Sequence, residues 1–496
     1  MDASFATLTN AAAAPVAAPM YAQIAQRIAR LIDNQAFKPG HRLPSVRELA
    51  ANNGVSISTA VQALRWLEER NLVTARPKAG YFVSPRGRGM ALPGVSRPPR
   101  HSLVVDRASR ADMMAAVSNL DGAINFGNAR PHDTGYFDAE RIRSAINRAT
   151  RTQRLSLVEY TELPGTQALR EAATRRALHL GCHLRADDIV VTAGCIHAVS
   201  LCLRAVTQPG DIVALESPTH FGFLDLLESL NLRALEIPTH PKDGISLSAL
   251  QLALDTQPIK AVLSVPTLSN PLGSVMRTND KRQLVRMLAA RQIPLIEDVV
   301  FNDLLAADER RKAAKAFDTE GWVMICGSFS KTLAPGVRLG WVEAGRWKEP
   351  VGRLKRVQGV STNVVMEHAL ADLLTQVGYE ARMRRISDAM RDRLAEAREI
   401  ISESFPRGTR VSSPPTGYTL WLELSQAVNT MPLFHQCRAE GISFGPGGMF
   451  TATDRFDHCL RLSFAGPWTD AERQALRRIG ALARALVLAP SDMHGG

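Results

Sequence analysis

In the run Ser328-Phe329-Ser330-Lys331-Thr332-Leu333-Ala334-Pro335-Gly336-Val337-Arg338, a lysine stands between two hydroxyls and one short loop ahead of an arginine. An amine condenses with an aldehyde to give a Schiff base, while hydroxyls and a guanidinium suit a phosphate. Together they meet the needs of an aldehyde that carries a phosphate, and pyridoxal 5'-phosphate is the biological example. The flanks are apolar and punctuated by Gly and Pro rather than charged, which argues against a solvated surface lysine.

Four other places could complete such a pocket. Asp298 follows the apolar run Pro294-Leu295-Ile296, so it is expected at a strand C-terminus, where α/β sheets build sites. A carboxylate there either caps a helix or pairs with a protonated pyridine nitrogen and keeps the ring an electron sink. Ser269-Asn270-Pro271-Leu272-Gly273 sets an Asn side chain at a tight turn, suited to a ring hydroxyl or simply to the turn itself. Thr192-Ala193-Gly194-Cys195-Ile196 passes from a strand into a helix, whose first amides can cradle a phosphate. Leu460-Arg461-Leu462-Ser463-Phe464 puts an arginine in an apolar strand. A buried cation needs an anion, either a substrate carboxylate or an internal acid.

The elements that must position these residues follow from β-branched runs alternating with helical patterns. Asp188-Ile189-Val190-Val191-Thr192, Asp211-Ile212-Val213-Ala214-Leu215, Ala261-Val262-Leu263-Ser264-Val265 and Ile293-Pro294-Leu295-Ile296 read as short buried strands of a mainly parallel α/β sheet. At 496 residues the chain is too long for one ordinary core, so it is expected to be multidomain. Its 45% hydrophobic and 22% charged residues are those of a globular protein. A net charge of +12 permits an anionic macromolecular partner. The six cysteines are scattered without Cys-x-x-Cys spacing, which argues against a zinc site or a disulfide framework and for a reducing cytoplasm. The first 20 residues lack a basic leader segment, and no run is long and apolar enough to cross a bilayer.

Three zones appear. Residues 18–84 hold a small amphipathic module, residues 85–120 are Pro/Gly/Arg-rich and read as a flexible linker, and residues 121–488 hold the α/β text. In the first zone Ile24, Ile28, Leu31 and Ile32 recur at helical spacing. Ser45 with Glu48 forms a capping-box pattern, and Asn52-Asn53-Gly54 supplies a turn tolerant of positive φ. A further helix then turns Ala60, Ala63, Leu64 and Leu67 inward and Ser58, Thr59, Gln62 and Arg65 outward. Val73–Arg76 and Tyr81–Val83 make a hairpin wing. Helix, turn, helix and wing serve protein binding or major-groove DNA binding.

Leu43-Pro44-Ser45-x-Arg47-x-Leu49-Ala50, Val55-Ser56-x-Ser58-Thr59 and Gly80-Tyr81-Phe82-Val83 resemble the mainly α winged helix-turn-helix of GntR-type repressors. The resemblance implies that Ser45, Arg47, Ser58, Thr59 and Gln62, with Arg76, Lys78 and Gly80 of the wing, meet double-stranded DNA. Ile57 departs from it, since many relatives carry a basic residue there. The ordered set around Lys331 resembles the class I aminotransferase domain of fold type I. Tyr160 with Gly165 and Leu169-Arg170, Pro209-Gly210-Asp211, Glu216-x-Pro218, Gly417 with Trp421, and Pro446-Gly447 belong to that match.

By that resemblance Lys331 is the catalytic, aldimine-forming lysine. Asp298 pairs with the pyridine nitrogen, Asn270 contacts the ring oxygen, and Arg461 takes the substrate carboxylate. Ser328, Ser330, Arg338 and the Gly194 and Cys195 amides hold the phosphate, and Tyr160 reaches the phosphate of a partner subunit. His220 stands where a ring-stacking aromatic is usual, with Phe221 beside it, and Phe301 stands where a tyrosine is usual. A GntR-type head joined to such a body resembles the MocR family of transcriptional regulators. That likeness implies a homodimer that reads promoter half-sites and senses pyridoxal phosphate, an amino-acid-like effector, or both. The other implied function is an aminotransferase with a regulatory head.

Overall fold

A computed structural model describes residues 19–33, 36–37, 40–69, 72–76, 80–83, 90–99, 101–105, 117, 124–129, 131, 136–153, 158, 163–305, 311–376 and 378–488. The chain divides into two compact units, Met1–Met90 and Ala91–Gly496.

In the first unit α1 (Met20–Asp33), α2 (Val46–Asn53) and α3 (Ile57–Glu69) precede an antiparallel hairpin of β1 (Val73–Arg76) and β2 (Gly80–Val83). The local signals act as expected. Ser45 Oγ accepts from the Glu48 amide at 3.3 Å, while Glu48 Oε2 accepts from the Ser45 amide at 2.7 Å. Gly54 ends α2 at φ 62°, a conformation that costs a side-chain-bearing residue about 1 kcal/mol or more. Ser56 Oγ accepts from the Thr59 amide at 3.1 Å at the start of α3. Ala60, Ala63, Leu64 and Leu67 are fully buried against Ile24, Ala25 and Ile28. Leu31 is the exception, exposed rather than inward. The buried stripe of α1 steps by fours from Ile24 through Ile28 to Ile32, which leaves Leu31 off its edge.

The second unit is built on a mixed sheet. β3 (Leu103–Val104), β5 (Ile189–Thr192), β6 (Ile212–Ser217), β7 (Arg233–His240), β9 (Ile259–Ser264), β10 (Leu295–Asp298), β11 (Val323–Ser328) and β12 (Gly340–Glu343) lie in the order β3-β7-β6-β9-β10-β11-β12-β5. β8 (Gly244–Ile245) hangs from β7, and a parallel pair joins β4 (Ile124–Asn125) to β15 (Ile442–Ser443). The run β7-β6-β9-β10-β11 is parallel, while β12 runs against both of its neighbours. β5, β6, β10 and β11 are buried along their whole length, because helices cover both faces. A smaller antiparallel sheet follows, ordered β13 (Arg410–Val411), β14 (Thr419–Glu423), β17 (Cys459–Ser463), β16 (Gly445–Pro446). It is flanked by the helices Tyr379–Ser404 and Asp470–Leu488.

The expected linker is corrected over part of its length. The Ala91 carbonyl accepts from the Val411 amide at 3.0 Å, and the Gly94 amide donates to Glu423 at 2.6 Å. Arg233 binds Ser102 through Oγ at 2.9 Å and through its carbonyl at 2.7 Å. Val105 is buried, and β3 pairs with β7. A Pro-rich run cannot build a core, yet its free carbonyls and one short β-branched stretch suffice to bind it along an existing sheet. Among the described residues no helix is long and apolar enough to cross a membrane, and no cluster suits a metal ion.

Candidate cofactor and DNA sites

The C-terminal ends of the parallel strands open into one cavity of about 650 Å³. β10 ends on Asp298 and β11 on Ser328, followed by Ser330 and Lys331. β9 leads to Val265 and Asn270, and β6 to His220 and Phe221. The smaller sheet adds Arg461 from β17. Cys195, Phe301 and Arg338 complete the expected residues on its wall. Gly194 stands behind Arg338 at φ 100°, where a Cβ would come within 3.2 Å of Arg338 Nη2.

Two chemistries divide the cavity. At one end Ser328 Oγ donates to the Leu339 carbonyl at 2.9 Å and lies 3.1 Å from Ser330 Oγ, which accepts from Arg338 Nη1 at 3.2 Å. Hydroxyls, guanidinium and the N-terminus of the helix Cys195–Val206 thus line the same cavity. In the middle, Lys331 Nζ donates to the Ala129 carbonyl at 2.6 Å. Asp298 accepts from the Val300 amide at 2.8 Å. Burial pushes its carboxyl up to about 6, against the pull of the Val300 amide, the Cys195 thiol and Lys331. The Cys195 thiol on the wall is itself held protonated, by burial and then by Asp298, and donates to the Cys326 carbonyl at 3.6 Å.

At the other end Arg461 is buried, with Nη1 donating to Asn270 Oδ1 at 3.1 Å and Nη2 donating to the Gly127 carbonyl. Its Nε has no partner, and no ion pair reaches it among the described residues. The internal acid that the sequence left open is therefore not found there. Burial lowers the guanidinium to about 9. Its carbon lies 4.8 Å from the Phe450 ring centre and 5.8 Å from that of Phe221. His220 stacks on Phe221 at 4.5 Å and is held down to about 3 by burial, then by Arg461 and Lys331, so it is a neutral aromatic. Phe301 meets Tyr418 edge to face at 6.3 Å.

Sequence reasoning missed Asn128 and Ala129 of the wall and the Tyr418 hydroxyl, which donates to the Lys331 carbonyl at 2.7 Å. Backbone carbonyls leave no composition signal. Tyr418, beside Gly417, was the one legible hint. Tyr160 lies outside the described residues, as do Lys78 and the Arg76 side chain.

In the first unit Arg47, Ser58 and Gln62 are exposed, with Thr59, Ser45 and Gly80 half-buried. Ser58 and Thr59 each place a hydroxyl 2.8 Å from Ser56 Oγ. The Ser45 side chain is engaged as the cap of α2. Ile57, at the head of α3, is 57% exposed.

Comparison with known proteins agrees with this division. Residues 20–83 match the family "Bacterial regulatory proteins, gntR family", and residues 123–479 match "Aminotransferase class I and II". The chain is 35% identical to the uncharacterized HTH-type transcriptional regulator YdcR of Escherichia coli K12, and 33% identical to YjiR of the same organism. Each match covers 93% of this chain and 98% of the relative. Among solved structures, the α-aminoadipate aminotransferase LysN of Thermus thermophilus superposes with a TM-score of 0.70 at 23% identity. That match covers 77% of this chain and 96% of LysN. A Pyrococcus horikoshii kynurenine aminotransferase superposes with a TM-score of 0.71 at 24% identity, with the same coverage. With a GntR-type head on a class I and II aminotransferase body, the chain belongs to the MocR-type family of HTH transcriptional regulators.

Proposed function

We propose that this protein is a pyridoxal-phosphate-dependent transcriptional regulator whose aminotransferase-like body senses the cofactor, an amino-acid-like effector, or both. The supporting observation is the union, in one chain, of an exposed polar helix face on a helix-turn-helix with a cavity that retains Lys331, Asp298, Arg338 and Arg461.

The cavity fits the cofactor on its own donors. Gly194 leaves a cradle that any Cβ would narrow against Arg338, and the two serines and Arg338 supply hydrogen bonds for a phosphate. Pyridoxal phosphate, when bound, supplies an aldehyde that takes a primary amine and a ring that withdraws electrons. Lys331 Nζ would hold the aldehyde carbon, and Asp298 would face the pyridine nitrogen. Its hydrogen bond from the Val300 amide keeps the carboxylate oriented. Asn270 would meet the ring oxygen, while neutral His220 and Phe221 wall the cavity as aromatics. Phe301 presents no hydroxyl. Arg461, lacking an acid, would receive a carboxylate on the effector. Tyr160 would complete the phosphate site of a partner subunit, which makes the regulator a homodimer acting on promoter DNA in the cytoplasm.

In the head, Arg47, Arg76 and Lys78 suit phosphates, and Ser58, Thr59 and Gln62 suit base edges, with Ser45 and Gly80 shaping the approach. Exposed Ile57 replaces a basic contact with an apolar one, the chemistry of a thymine methyl.

Mobility shift of the full-length protein on DNA upstream of its own and adjacent genes tests this reading. One defined operator is expected, with affinity changing by about fivefold or more on adding pyridoxal phosphate or an amino acid. No sequence-selective binding in either state would overturn it. Arg461 also favours a working aminotransferase with a regulatory head. Turnover of amino acids with 2-oxoglutarate separates the two, and the regulator reading expects rates near zero.

A further inference from the structure

Three hydrogen bonds converge on Lys331 and Thr332, and one of them comes from Tyr418, which is tied to the strand that carries Arg461. The Tyr418 hydroxyl donates to the Lys331 carbonyl at 2.7 Å. Arg382 Nη2 donates to the Thr332 carbonyl. The Tyr379 hydroxyl bridges Thr332 Oγ1 at 3.1 Å and Asp303 Oδ2 at 2.8 Å. Tyr379 and Arg382 sit in the first turn of the helix Tyr379–Ser404, and Tyr418 immediately precedes β14. Tyr418, Tyr379 and Thr332 are buried, so none of these bonds is readily exchanged for water.

Tyr418 is also bound to the strand of the carboxylate site. Its carbonyl accepts from the Phe464 amide at 2.7 Å, and β14 pairs with β17 in the register Thr419↔Ser463 and Trp421↔Arg461. From the Arg461 guanidinium to the Lys331 carbonyl the path therefore runs through one strand pair and one phenol. The same phenol ring lies edge to face on Phe301, which lines the cavity.

We infer that the Tyr418 hydroxyl, seconded by Arg382, is a positioning device through which a carboxylate bound at Arg461 reorients the main chain at Lys331. The inference rests on the reading of Arg461 as a carboxylate site and of Lys331 as the cofactor lysine. A carboxylate that engages the free Nε of Arg461 pulls on β17, and paired β14 carries the displacement to Tyr418. The lysine peptide follows, because its carbonyl accepts from that phenol, while Arg382 holds the next carbonyl. Neither Tyr418 nor Arg382 lines the cavity, so they act on position alone.

The test uses the full-length protein loaded with pyridoxal phosphate and the amine-free probe 4-methylpentanoate, at one fixed pH. Visible circular dichroism of the bound cofactor reports its orientation, and calorimetry reports carboxylate binding independently. In the wild type the probe should alter the dichroism as it saturates, and Arg461→Ala should abolish both binding and response. Tyr418→Phe keeps the ring and removes the donor. It should still bind the probe within about tenfold of wild type, while losing most of the dichroic response. Arg382→Gln should lose a smaller part of it, and decides the matter if Tyr418→Phe loads no cofactor. A full wild-type response in either loaded variant overturns the inference. So does a wild type that binds the probe without dichroic change. If calorimetry shows no binding at all, the carboxylate role of Arg461 fails, and the inference falls with it.

Discussion

The two ends of the cavity solve opposite problems. At the phosphate end Ser328, Ser330 and Arg338 come from one contiguous segment and bond one another before any ligand arrives. At the carboxylate end Arg461 is brought together with Asn270 and Gly127 from far apart in the chain, and it is left with an unpartnered Nε. The first is a preformed cradle whose charge is exposed. The second is a buried cation held in a site that disfavours it, offset only by neutral oxygens and two aromatic rings. A ligand that fills the first meets little resistance, whereas one that fills the second also relieves a standing cost. Under the proposed function, sensing would therefore fall to Arg461 and anchoring to Ser328, Ser330 and Arg338.

The largest effect is expected at the junction between the ends. Lys331→Ala should abolish covalent attachment altogether, read by borohydride reduction and mass spectrometry, while non-covalent phosphate binding persists. Arg461→Met comes next and separates the ends. Carboxylate affinity should fall by about two orders of magnitude in a calorimetric titration. Unfolding should at the same time become harder by about 1–4 kcal/mol, because a buried unpaired cation is replaced by an apolar chain. A destabilised Arg461→Met protein would show that the guanidinium is structurally compensated and that the two ends do not differ as argued.

Asp298 gives the contrast a pH signature in cofactor-free protein. Its folded value near 6 lies above the ordinary 3.8, so the folded state holds this proton more tightly than the unfolded one. Stability from this group is complete below about pH 4 and falls as pH rises to about 6, by roughly 3 kcal/mol. Urea unfolding of wild type and Asp298→Asn across that window should show the difference, and bound cofactor should remove it. Arg338→Ala is expected to act more mildly, weakening cofactor binding by about ten- to a hundredfold without touching carboxylate affinity.

The same contrast explains what could be read in the chain. The phosphate cradle was legible because Ser328, Ser330, Lys331 and Arg338 are neighbours in sequence, and Asp298 because it ends an apolar strand. The helix-turn-helix was legible for the same reason, since Ser45, Glu48 and Gly54 act within a few residues. The carboxylate end was legible only as Arg461. Its partners are a backbone carbonyl at Gly127 and an Asn otherwise readable as a turn, and the missing acid is a property of the fold alone. The course of residues 91–99 and 101–105 also escaped. A Pro-rich run binds the body through its carbonyls, and β3 spans two residues, too few for a periodic signal.

The smallest expected effect probes the middle of the cavity. Phe301 is 9% exposed on the wall and edges onto Tyr418. Phe301→Tyr adds one hydroxyl to a ring already in place. If that hydroxyl reaches an acceptor on the bound cofactor, affinity should rise by about two- to tenfold, the worth of one net hydrogen bond. If it finds none, the buried hydroxyl costs about 1–3 kcal/mol and affinity falls instead. Absorbance titration of cofactor-free protein distinguishes the outcomes by sign alone. A gain would mean that the wall still has the shape of a tyrosine-bearing pocket, with the phenylalanine a local loss of chemistry. The carboxylate end should be indifferent either way, because Arg461 gives its hydrogen bonds to Asn270 and Gly127 and none to this ring.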